Sequence, residues 1–363
     1  MLLCAALAVP LGAPLGAAEV VTRDHRVPVI SAVPAIAGQR AELYVRERVR
    51  GEAGPRGRHG KVVLFVHGAG TPAEVGFDVP AEGYSWMAHL AAAGYDVFSV
   101  DMTGYGRSTR PPQMADRCNL STAQQQLFGM DCAPTYPGAL TNIESDWHDI
   151  GTAVDYIRKL RQVDRVSLIG WSQGGPRAGG WAALHPERVE KLVLLAPAYN
   201  AAAGSEAPSL PVPGPVFNTQ SHEEFLANWQ RQAPCAGQLE PAAADAVWGA
   251  MLESDPVGAG WTPAVRRAPI ASSGWGWSRQ RVQRMSTPTL LLVGEHDGQV
   301  DPARVRELHT DLGSKHKVLV TLGCASHNAM WEKNRRLMFD ASLEWLEKGT
   351  VNGQPSGSLR LGD

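Results

Sequence analysis

Short apolar runs bounded by turn-forming residues alternate along the chain with stretches of helical pattern. The apolar runs are typical of strands buried on both faces, because their hydrophobic residues are nearly continuous. The sequence predicts strands at Val62–Val66, Tyr95–Val100, Val166–Ile169, Leu192–Leu195, Thr289–Val293 and Val318–Leu322. It predicts helices at Tyr84–Ala93, Ile143–Arg161, Gly174–His185, Ala303–Leu312 and Asn328–Glu347. Such alternation indicates an α/β protein with a mostly parallel central sheet flanked by helices.

One long segment interrupts this alternation. Residues 198–285 lie between two predicted strands and carry helical patterns at His222–Gln232 and Pro241–Leu252. We interpret the segment as an inserted helical cap over the carboxyl ends of the strands, where ligands bind in open α/β sheets. Residues 20–50 are expected to add antiparallel edge strands. The predicted divisions are 1–18 as a leader, 19–197 and 286–350 as the core, 198–285 as the cap, and 351–363 as a C-terminal tail.

The first residues have the composition of a secretory signal. Met1 to Ala18 is apolar and rich in small residues, and Gly16-Ala17-Ala18 fits a small-x-small cleavage site. We therefore expect cleavage near Ala18 and a periplasmic or secreted protein, the alternative being a buried N-terminal strand or an apolar tail. No apolar run of about 18 residues follows, so no membrane span is expected.

The cysteines fit an exported protein. Cys118, Cys132, Cys235 and Cys324 remain after a leader containing Cys4 is removed, and four cysteines allow three disulfide connectivities. The first choice is Cys118–Cys132, which closes a short loop, with Cys235–Cys324 as the second pair. The alternative is four free buried thiols. No pair has metal-ligand spacing, so no metal is expected.

Composition and charge exclude some classes of protein. The 34 Lys and Arg balance 36 Asp and Glu, giving a net charge of -2. A nucleic-acid-binding protein would normally carry a basic excess. With 44% hydrophobic and 19% charged residues, the composition is that of an ordinary globular protein.

The strongest chemical motif is Gly170-Trp171-Ser172-Gln173-Gly174, between a predicted strand and a predicted helix. A G-x-S-x-G turn in that context holds a serine hydroxyl exposed above the sheet. We predict that Ser172 is a nucleophile. The alternative is a serine that only caps the helix.

A serine nucleophile needs a base and a carboxylate that orients the base. His327 follows the last predicted strand and is the best-placed base, with His296 as its competitor. Asp297 directly follows strand Thr289–Val293 and is the expected acid. Its alternatives are Glu295, which could form a surface pair, and Asp301, which looks like a helix N-cap.

An oxyanion needs two backbone N–H donors. Gln173 should supply one, because it follows the nucleophile. Ala69 should supply the other, from the loop His67-Gly68-Ala69-Gly70, with Gly70 as the alternative. The ring of His67 is expected to brace this loop rather than to take part in catalysis.

These motifs resemble those of the α/β-hydrolase superfamily. The matching pieces are His67-Gly68-Ala69-Gly70, Asp101-Met-Thr-Gly-Tyr-Gly-Arg-Ser108, Gly170-Trp-Ser-Gln-Gly174, Gly294-Glu-His-Asp297 and Ser326-His327, and they span residues 61–348. The order Ser, Asp, His along the chain matches that superfamily. The resemblance implies a serine esterase or lipase that uses no cofactor. Epoxide hydrolases and haloalkane dehalogenases have a similar layout with an aspartate nucleophile, so Ser172 counts against both.

The expected substrate is a hydrophobic or aromatic small-molecule ester, with water as the second reactant. Four aromatic residues are predicted to bind it: Tyr105, Trp171, Trp275 and Trp277. No basic cluster marks an anionic pocket. Arg107 and Arg177 could bind a carboxylate, although the helix surface is the expected place for Arg177. C–C bond hydrolysis of a β-diketone and acyl transfer are the alternative reactions, and the protein is expected to be a monomer or a homodimer.

Overall fold

The computed structural model describes residues 19–51, 61–204, 213–261, 264–269 and 276–362. The predicted leader, 1–18, lies outside the described residues. The strands found are β1 (Val20–Ile30), β2 (Arg40–Arg50), β3 (Val62–Val66), β4 (Asp96–Val100), β5 (Val166–Trp171), β6 (Val189–Leu195), β7 (Asn218–Ser221), β8 (Ala264–Arg267), β9 (Thr289–Gly294), β10 (Lys317–Leu322) and β11 (Gly357–Leu361).

The α-helices found in the same residues are α1 (Ala73–Phe77), α2 (Trp86–Ala92), α3 (Thr122–Leu127), α4 (Ile143–Arg161), α5 (Gly180–Leu184), α6 (His222–Gln230), α7 (Pro241–Ser254), α8 (Pro256–Ala259), α9 (Arg279–Val282), α10 (Pro302–Asp311) and α11 (Arg336–Lys348). A π-helical turn, Gly175–Gly179, precedes α5. Short 3₁₀ turns lie at Pro34–Ile36, Pro112–Ala115, Arg117–Asn119, Pro186–Arg188 and Ala329–Trp331.

Within the described residues, nine strands form one sheet in the order β1-β2-β4-β3-β5-β6-β9-β10-β11. β1 and β2 pair antiparallel with each other, and β2 pairs antiparallel with β4. The pairs from β4 through β11 are parallel. The chain therefore has the α/β-hydrolase fold that the sequence predicts, including antiparallel strands within residues 20–50.

Two hydrophobic layers cover the two faces of this sheet. Residues of α4, α5 and α10 pack on one face, and residues of α2 and α11 pack on the other. The central strands are buried throughout, as in β3, where every residue is buried. Burial on both faces explains why these strands read as continuous apolar runs. No helix in the described part of the chain is long and apolar enough to cross a membrane.

Two predicted boundaries were wrong. The segment 351–363 is more than a tail, because β11 pairs with β10 and forms the edge of the sheet. The helix predicted at Asn328–Glu347 begins only at Arg336, and a 3₁₀ turn, Ala329–Trp331, stands in its first part. Glu332, a charged residue in the first part of the predicted helix, lies between the 3₁₀ turn and α11 and is wholly buried.

The segment between β6 and β9 reaches over the carboxyl ends of the parallel strands. β7 and β8 pair antiparallel as a separate two-stranded sheet. Side chains from β7, β8, α6 and α7 line a cavity together with Ser172, which follows β5. Residues of the predicted cap therefore form one wall of the space above the main sheet.

Candidate active site

The turn after β5 holds Ser172 in a left-handed conformation, with φ at 57°. Non-glycine residues rarely adopt this conformation, and strained backbone of this kind is found repeatedly at active sites. The flanking glycines allow the turn to close. A Cβ atom on Gly170 would lie 2.4 Å from the carbonyl oxygen of Gly174, and one on Gly174 would lie 2.5 Å from that of Val66. A side chain at either position would force strand and helix apart.

His327 lies in the loop after β10, and its imidazole faces Asp297. The Nδ1 atom lies 2.8 Å from Oδ2 and 3.0 Å from Oδ1 of Asp297. Oδ1 also accepts hydrogen bonds from the backbone N–H groups of Gln299 and Val300, at 2.9 and 2.8 Å. These bonds fix the carboxylate so that it accepts the Nδ1 proton, which leaves Nε2 free to act as a base.

Ser172 and His327 line the same small cavity, with a volume of about 60 Å³. No hydrogen bond joins these two side chains in this structure, and such contacts often tighten only when substrate binds. Trp171 holds the histidine loop in place, because its indole Nε1 donates to the carbonyl oxygen of His327 at 3.0 Å. Of the predicted substrate-binding aromatics that the structure describes, Tyr105, Trp171 and Trp277, the cavity is lined by Trp171.

The competing residues have other partners. Glu295 pairs with Arg360 at 2.8 and 2.9 Å and accepts a hydrogen bond from the backbone N–H of Cys324. Asp301 caps α10, because its Oδ1 accepts from Ala303 N at 2.8 Å. His296 lies beside Glu295, at 3.7 Å. Among these candidates, the geometry brings Asp297 and His327 together.

The predicted oxyanion donors lie on either side of the serine. Ala69 lines the cavity, and Gln173 directly follows Ser172. Neither backbone N–H group donates to another group in the part of the chain that the structure describes. Free N–H groups at these positions are what an oxyanion hole requires.

The loop that carries Ala69 is braced from below by His67 and Arg177. Met102 N donates to Nε2 of His67 at 3.1 Å, so Nδ1 carries the proton and donates to Gly68 O at 2.7 Å. Burial, reinforced by the charge of Arg177, holds the pKa of His67 well below its usual range. His67 is therefore neutral, in agreement with a bracing role.

Arg177 does not lie on a helix surface, as the sequence suggested, but is wholly buried. Its Nε donates to Asp146 at 2.7 Å, and its Nη1 donates to the carbonyl oxygens of His67 and Gly68 at 2.9 and 2.7 Å. Its Nη2 has no partner among the described residues, but the side chain is wholly buried and does not line the cavity, so Arg177 is not placed to bind a substrate carboxylate. Arg107 is paired with a carboxylate of the protein, because its Nε donates to Oε1 of Glu74 at 2.9 Å.

Two of the predicted substrate-binding aromatics that the structure describes, Tyr105 and Trp277, do not line the cavity. Tyr105 is buried behind the loop, with its ring 4.6 Å from that of His67 and its hydroxyl donating to Ala268 O. Trp277 is wholly buried against Gly179, where an added Cβ would lie 2.2 Å from the indole. Its expected substrate contact was wrong, because the helix after Ser172 needs an apolar cover. Trp275 lies outside the described residues.

Other cavity residues were not predicted from the sequence. Gln220, Phe225, Asn228, Met251 and Arg267 line the wall opposite Ser172. They come from four separate elements, so no local spacing could reveal them. Glu332 was also missed. It accepts hydrogen bonds from Ser326 N at 2.9 Å and from the Ser326 hydroxyl, directly beside His327.

The four cysteines lie in the pairs chosen from the sequence. Cys118 faces Cys132 and Cys235 faces Cys324, with Cα–Cα distances of 5.4 and 5.7 Å. Both distances suit a disulfide. His296 lies close to the second pair, so that three atoms able to ligate a metal fall within 4.8 Å of one another. The sulfur atoms of Cys235 and Cys324 face each other as in a disulfide. A metal ion could use them only if both cysteines were reduced to separate thiolates.

Comparisons with known proteins agree with this architecture. A family model described as serine aminopeptidase, S33, matches residues 57–334. Poly(3-hydroxyalkanoate) polymerase subunit PhaC of Allochromatium vinosum is 32% identical over 114 residues, which are 31% of this chain and 24% of that protein. A 2-hydroxy-6-oxononadienedioate/2-hydroxy-6-oxononatrienedioate hydrolase of Cupriavidus pinatubonensis is 28% identical over 180 residues, 48% of this chain and 49% of that one. The chain thus spans at most about half the length of these relatives.

Solved structures share the fold at low sequence identity. A meta-cleavage product hydrolase from Pseudomonas fluorescens superposes with a TM-score of 0.57 at 16% identity, covering 89% of this chain and 98% of that one. A thermophilic esterase from Thermogutta terrifontis gives a TM-score of 0.53 at 18% identity, covering 89% and 98%.

Proposed function

Because the chain belongs to the serine aminopeptidase S33 family of α/β-hydrolases, we propose that it is a serine hydrolase that cleaves carboxylic esters of small hydrophobic molecules. The observation that carries the proposal is the hydrogen bond from Nδ1 of His327 to Asp297, in a cavity that Ser172 also lines. A histidine oriented in this way can take a proton from a serine hydroxyl.

In the proposed reaction, Oγ of Ser172 attacks the ester carbonyl carbon while Nε2 of His327 accepts the hydroxyl proton. The negative charge develops on the former carbonyl oxygen and is stabilised by the N–H groups of Ala69 and Gln173. The C–O bond then breaks, and the alcohol leaves with the proton from His327. His327 then takes a proton from a water molecule, whose oxygen attacks the acyl carbonyl carbon. The bond to Oγ of Ser172 breaks, His327 returns the proton to Oγ, and the acid is released.

Hydrolysis of a C–C bond is the second candidate, because the relative from Cupriavidus pinatubonensis is named as a hydrolase of 2-hydroxy-6-oxo-dienedioates. The same three side chains could serve that reaction. Acyl transfer to an alcohol instead of water is a further variant. Release from esters, cleavage of a β-diketone and product analysis with added alcohol distinguish the three.

A panel of para-nitrophenyl esters of increasing acyl length tests the proposal. Ser172→Ala and His327→Ala should each lower kcat/KM by about 10⁴-fold or more, and the double variant should lose no more than either alone, since the residues act as a unit. His296→Ala is the matched control and should retain activity. A fluorophosphonate probe should label the peptide that contains Ser172. Full activity of Ser172→Ala, or multiplying losses in the double variant, would refute the assignment.

A further inference from the structure

Two cavities meet at the mouth of the candidate active site. The inner one, at Ser172, has a volume of about 60 Å³, and the outer one a volume of about 880 Å³. Both are lined by Gln220 on β7 and Arg267 on β8. These two side chains therefore lie between the outer cavity and the cavity that Ser172 lines.

Arg267 has few partners within the protein. Its Nη2 donates one long hydrogen bond, 3.5 Å, to the carbonyl oxygen of Ala69. No carboxylate in the described residues forms an ion pair with it. Burial lowers the pKa of the Arg267 guanidinium, while Tyr105 and then Glu224 act in the opposite direction. An arginine nevertheless stays charged at neutral pH, so this half-buried side chain places a cation beside the site.

The preceding residue shows what a satisfied arginine looks like here. Arg266, on the same strand, bonds the carboxylate of Asp255 through Nε at 3.0 Å and the carbonyl oxygen of Met114 through Nη1 at 3.0 Å. Arg267 is half-buried and has no such carboxylate among the described residues. Removing a cation even partly from water is costly when no partner is present. The unused N–H donors of Arg267 are therefore available to a ligand.

The guanidinium lies directly against the predicted oxyanion loop. A Cβ atom on Gly70, whose φ is 74°, would lie 1.7 Å from Nε of Arg267. Only a glycine leaves room for the arginine at that position. The planar guanidinium is thus held beside Ala69, whose N–H group is predicted to bind the carbonyl oxygen of the substrate.

We propose that Arg267 binds a carboxylate of the substrate, so that the preferred substrates are short esters that carry a negative charge close to the scissile bond. This inference rests on the proposed serine hydrolase function. The sequence predicted no basic cluster in the pocket and offered Arg107 and Arg177 as possible carboxylate binders, whereas the structure places a different single arginine, Arg267, at the cavity. The bidentate geometry of a guanidinium suits a carboxylate, and charge-assisted hydrogen bonds of this kind are stronger than neutral ones.

The outer cavity limits where the negative charge can lie. Beyond Arg267, two glutamates and one arginine line it, Glu223, Glu224 and Arg231, so negative charge is in excess there. Like charges repel, so a carboxylate far out on a long chain should gain nothing there. The charge should therefore help only when it is near the ester, where it can reach Arg267.

The experiment compares matched esters. The para-nitrophenyl hemiester of glutarate carries a carboxylate, its methyl-capped form is the neutral counterpart, and the hemiester of sebacate carries a distant charge. A second pair places the carboxylate on the alcohol side instead. Rates with Ser172→Ala give the spontaneous hydrolysis to be subtracted. The wild-type protein should prefer the charged short ester by about 10-fold or more in kcat/KM on at least one side, and should show no such preference for sebacate.

Variants test the assignment to Arg267. Arg267→Met should lower the ratio of charged to neutral kcat/KM by about 10- to 100-fold, mainly through KM, and Arg267→Lys should lower it less. Arg231→Met is the control, because Arg231 lines the outer cavity but not the inner one. An equal fall in both variants would overturn the proposal, since the general charge of the cavity would then explain the preference. A wild-type preference for neutral esters would overturn it too.

A binding measurement separates this inference from the ester hydrolase assignment. Glutarate should slow fluorophosphonate labelling of Ser172 in the wild-type protein but not in Arg267→Met, even if no ester is a good substrate. Labelling that glutarate slows equally in both proteins, or in neither, would overturn the anion site. Absence of labelling in the wild-type protein would count against the serine hydrolase function itself. The inference would then be decided by calorimetry with glutarate on wild-type and Arg267→Met, where equal heats overturn it.

Discussion

The indole Nε1 of Trp229, on α6, donates a hydrogen bond of 3.1 Å to the carboxylate of Glu332. The same carboxylate accepts from Ser326 N at 2.9 Å and from the Ser326 hydroxyl. Glu332 therefore joins the segment above the sheet to the loop that carries His327. Burial raises the pKa of this carboxyl, while the hydrogen bonds from Ser326 and Trp229 act in the opposite direction.

Glu332→Gln should lower kcat by about 10- to 100-fold with little change in KM, because an amide nitrogen cannot accept the bonds that position the histidine loop. Glu344→Gln is the matched control. Glu344 also accepts from backbone N–H groups, those of Asn352 and Gly353, but far from the site. Steady-state kinetics and melting temperatures are measured for both. If both variants lose stability and neither loses kcat, Glu332 has only a structural role.

Asp297→Asn should lower kcat/KM by about 10⁴-fold, since an amide can stabilise the wrong tautomer of His327. Asp301→Asn should stay within a few-fold of the wild-type protein, because asparagine caps a helix as well as aspartate does. Ester hydrolysis by the two variants is compared directly. The acid is misassigned if Asp301→Asn is the damaging change.

The Cys235–Cys324 pair connects the chain between α6 and α7 to the turn after β10, three residues before His327. If the protein is exported and oxidised, replacing both with alanine should lower stability and kcat/KM together. The control is the double alanine variant of Cys118 and Cys132, which should lose stability alone. The sequence separations are 89 and 14 residues, and the larger closed loop is expected to stabilise more, by about 1 to 2 kcal/mol.

Melting temperature, kinetics and thiol alkylation without reductant check this prediction. The intact mass of the secreted protein also tests cleavage near Ala18. Four reactive thiols in the native protein, or a mass that includes residues 1–18, would contradict the expectation of export and oxidation.

Burial raises the pKa of Asp149 to about 7, above the ordinary value of 3.8. Between about pH 4 and about pH 7 the folded state therefore holds a proton that the unfolded state has lost, so folding takes up a proton in this range. The contribution to stability is complete below about pH 4 and disappears as the pH rises through about 7.

Asp149→Asn removes this titration and keeps an oxygen to accept from Thr103 N, which now bonds Asp149 at 2.8 Å. The melting temperature of the variant relative to the wild-type protein should thus be higher at about pH 8 than at about pH 5. Asp155→Asn, exposed on the same helix, is the control and should show no such trend. A difference independent of pH would refute the role of Asp149.

The sequence by itself determined the fold and the framework of the site. The buried strands appear as continuous apolar runs, so β3 and α4 were predicted with their observed bounds. Since the carboxyl ends of parallel strands share one sheet edge, chain order alone placed Ser172, Asp297 and His327 near one another. The glycines around Ser172 identified the turn from their spacing in the motif. Gly170 leaves space for the carbonyl of Gly174 within the turn, whereas Gly174 leaves space for Val66 on the neighbouring strand.

Tertiary structure decided what depends on distant segments. Trp277 was expected in the substrate pocket and Arg177 on a helix surface, yet both side chains are buried. Each is buried against a residue distant in the sequence, Gly179 for Trp277 and Asp146 for Arg177, which only folding brings next to it. Arg266 and Arg267 are neighbours of the same type in the sequence. One faces Asp255 and the other faces the site, since successive residues of a strand point to opposite sides and only the fold determines what lies on each.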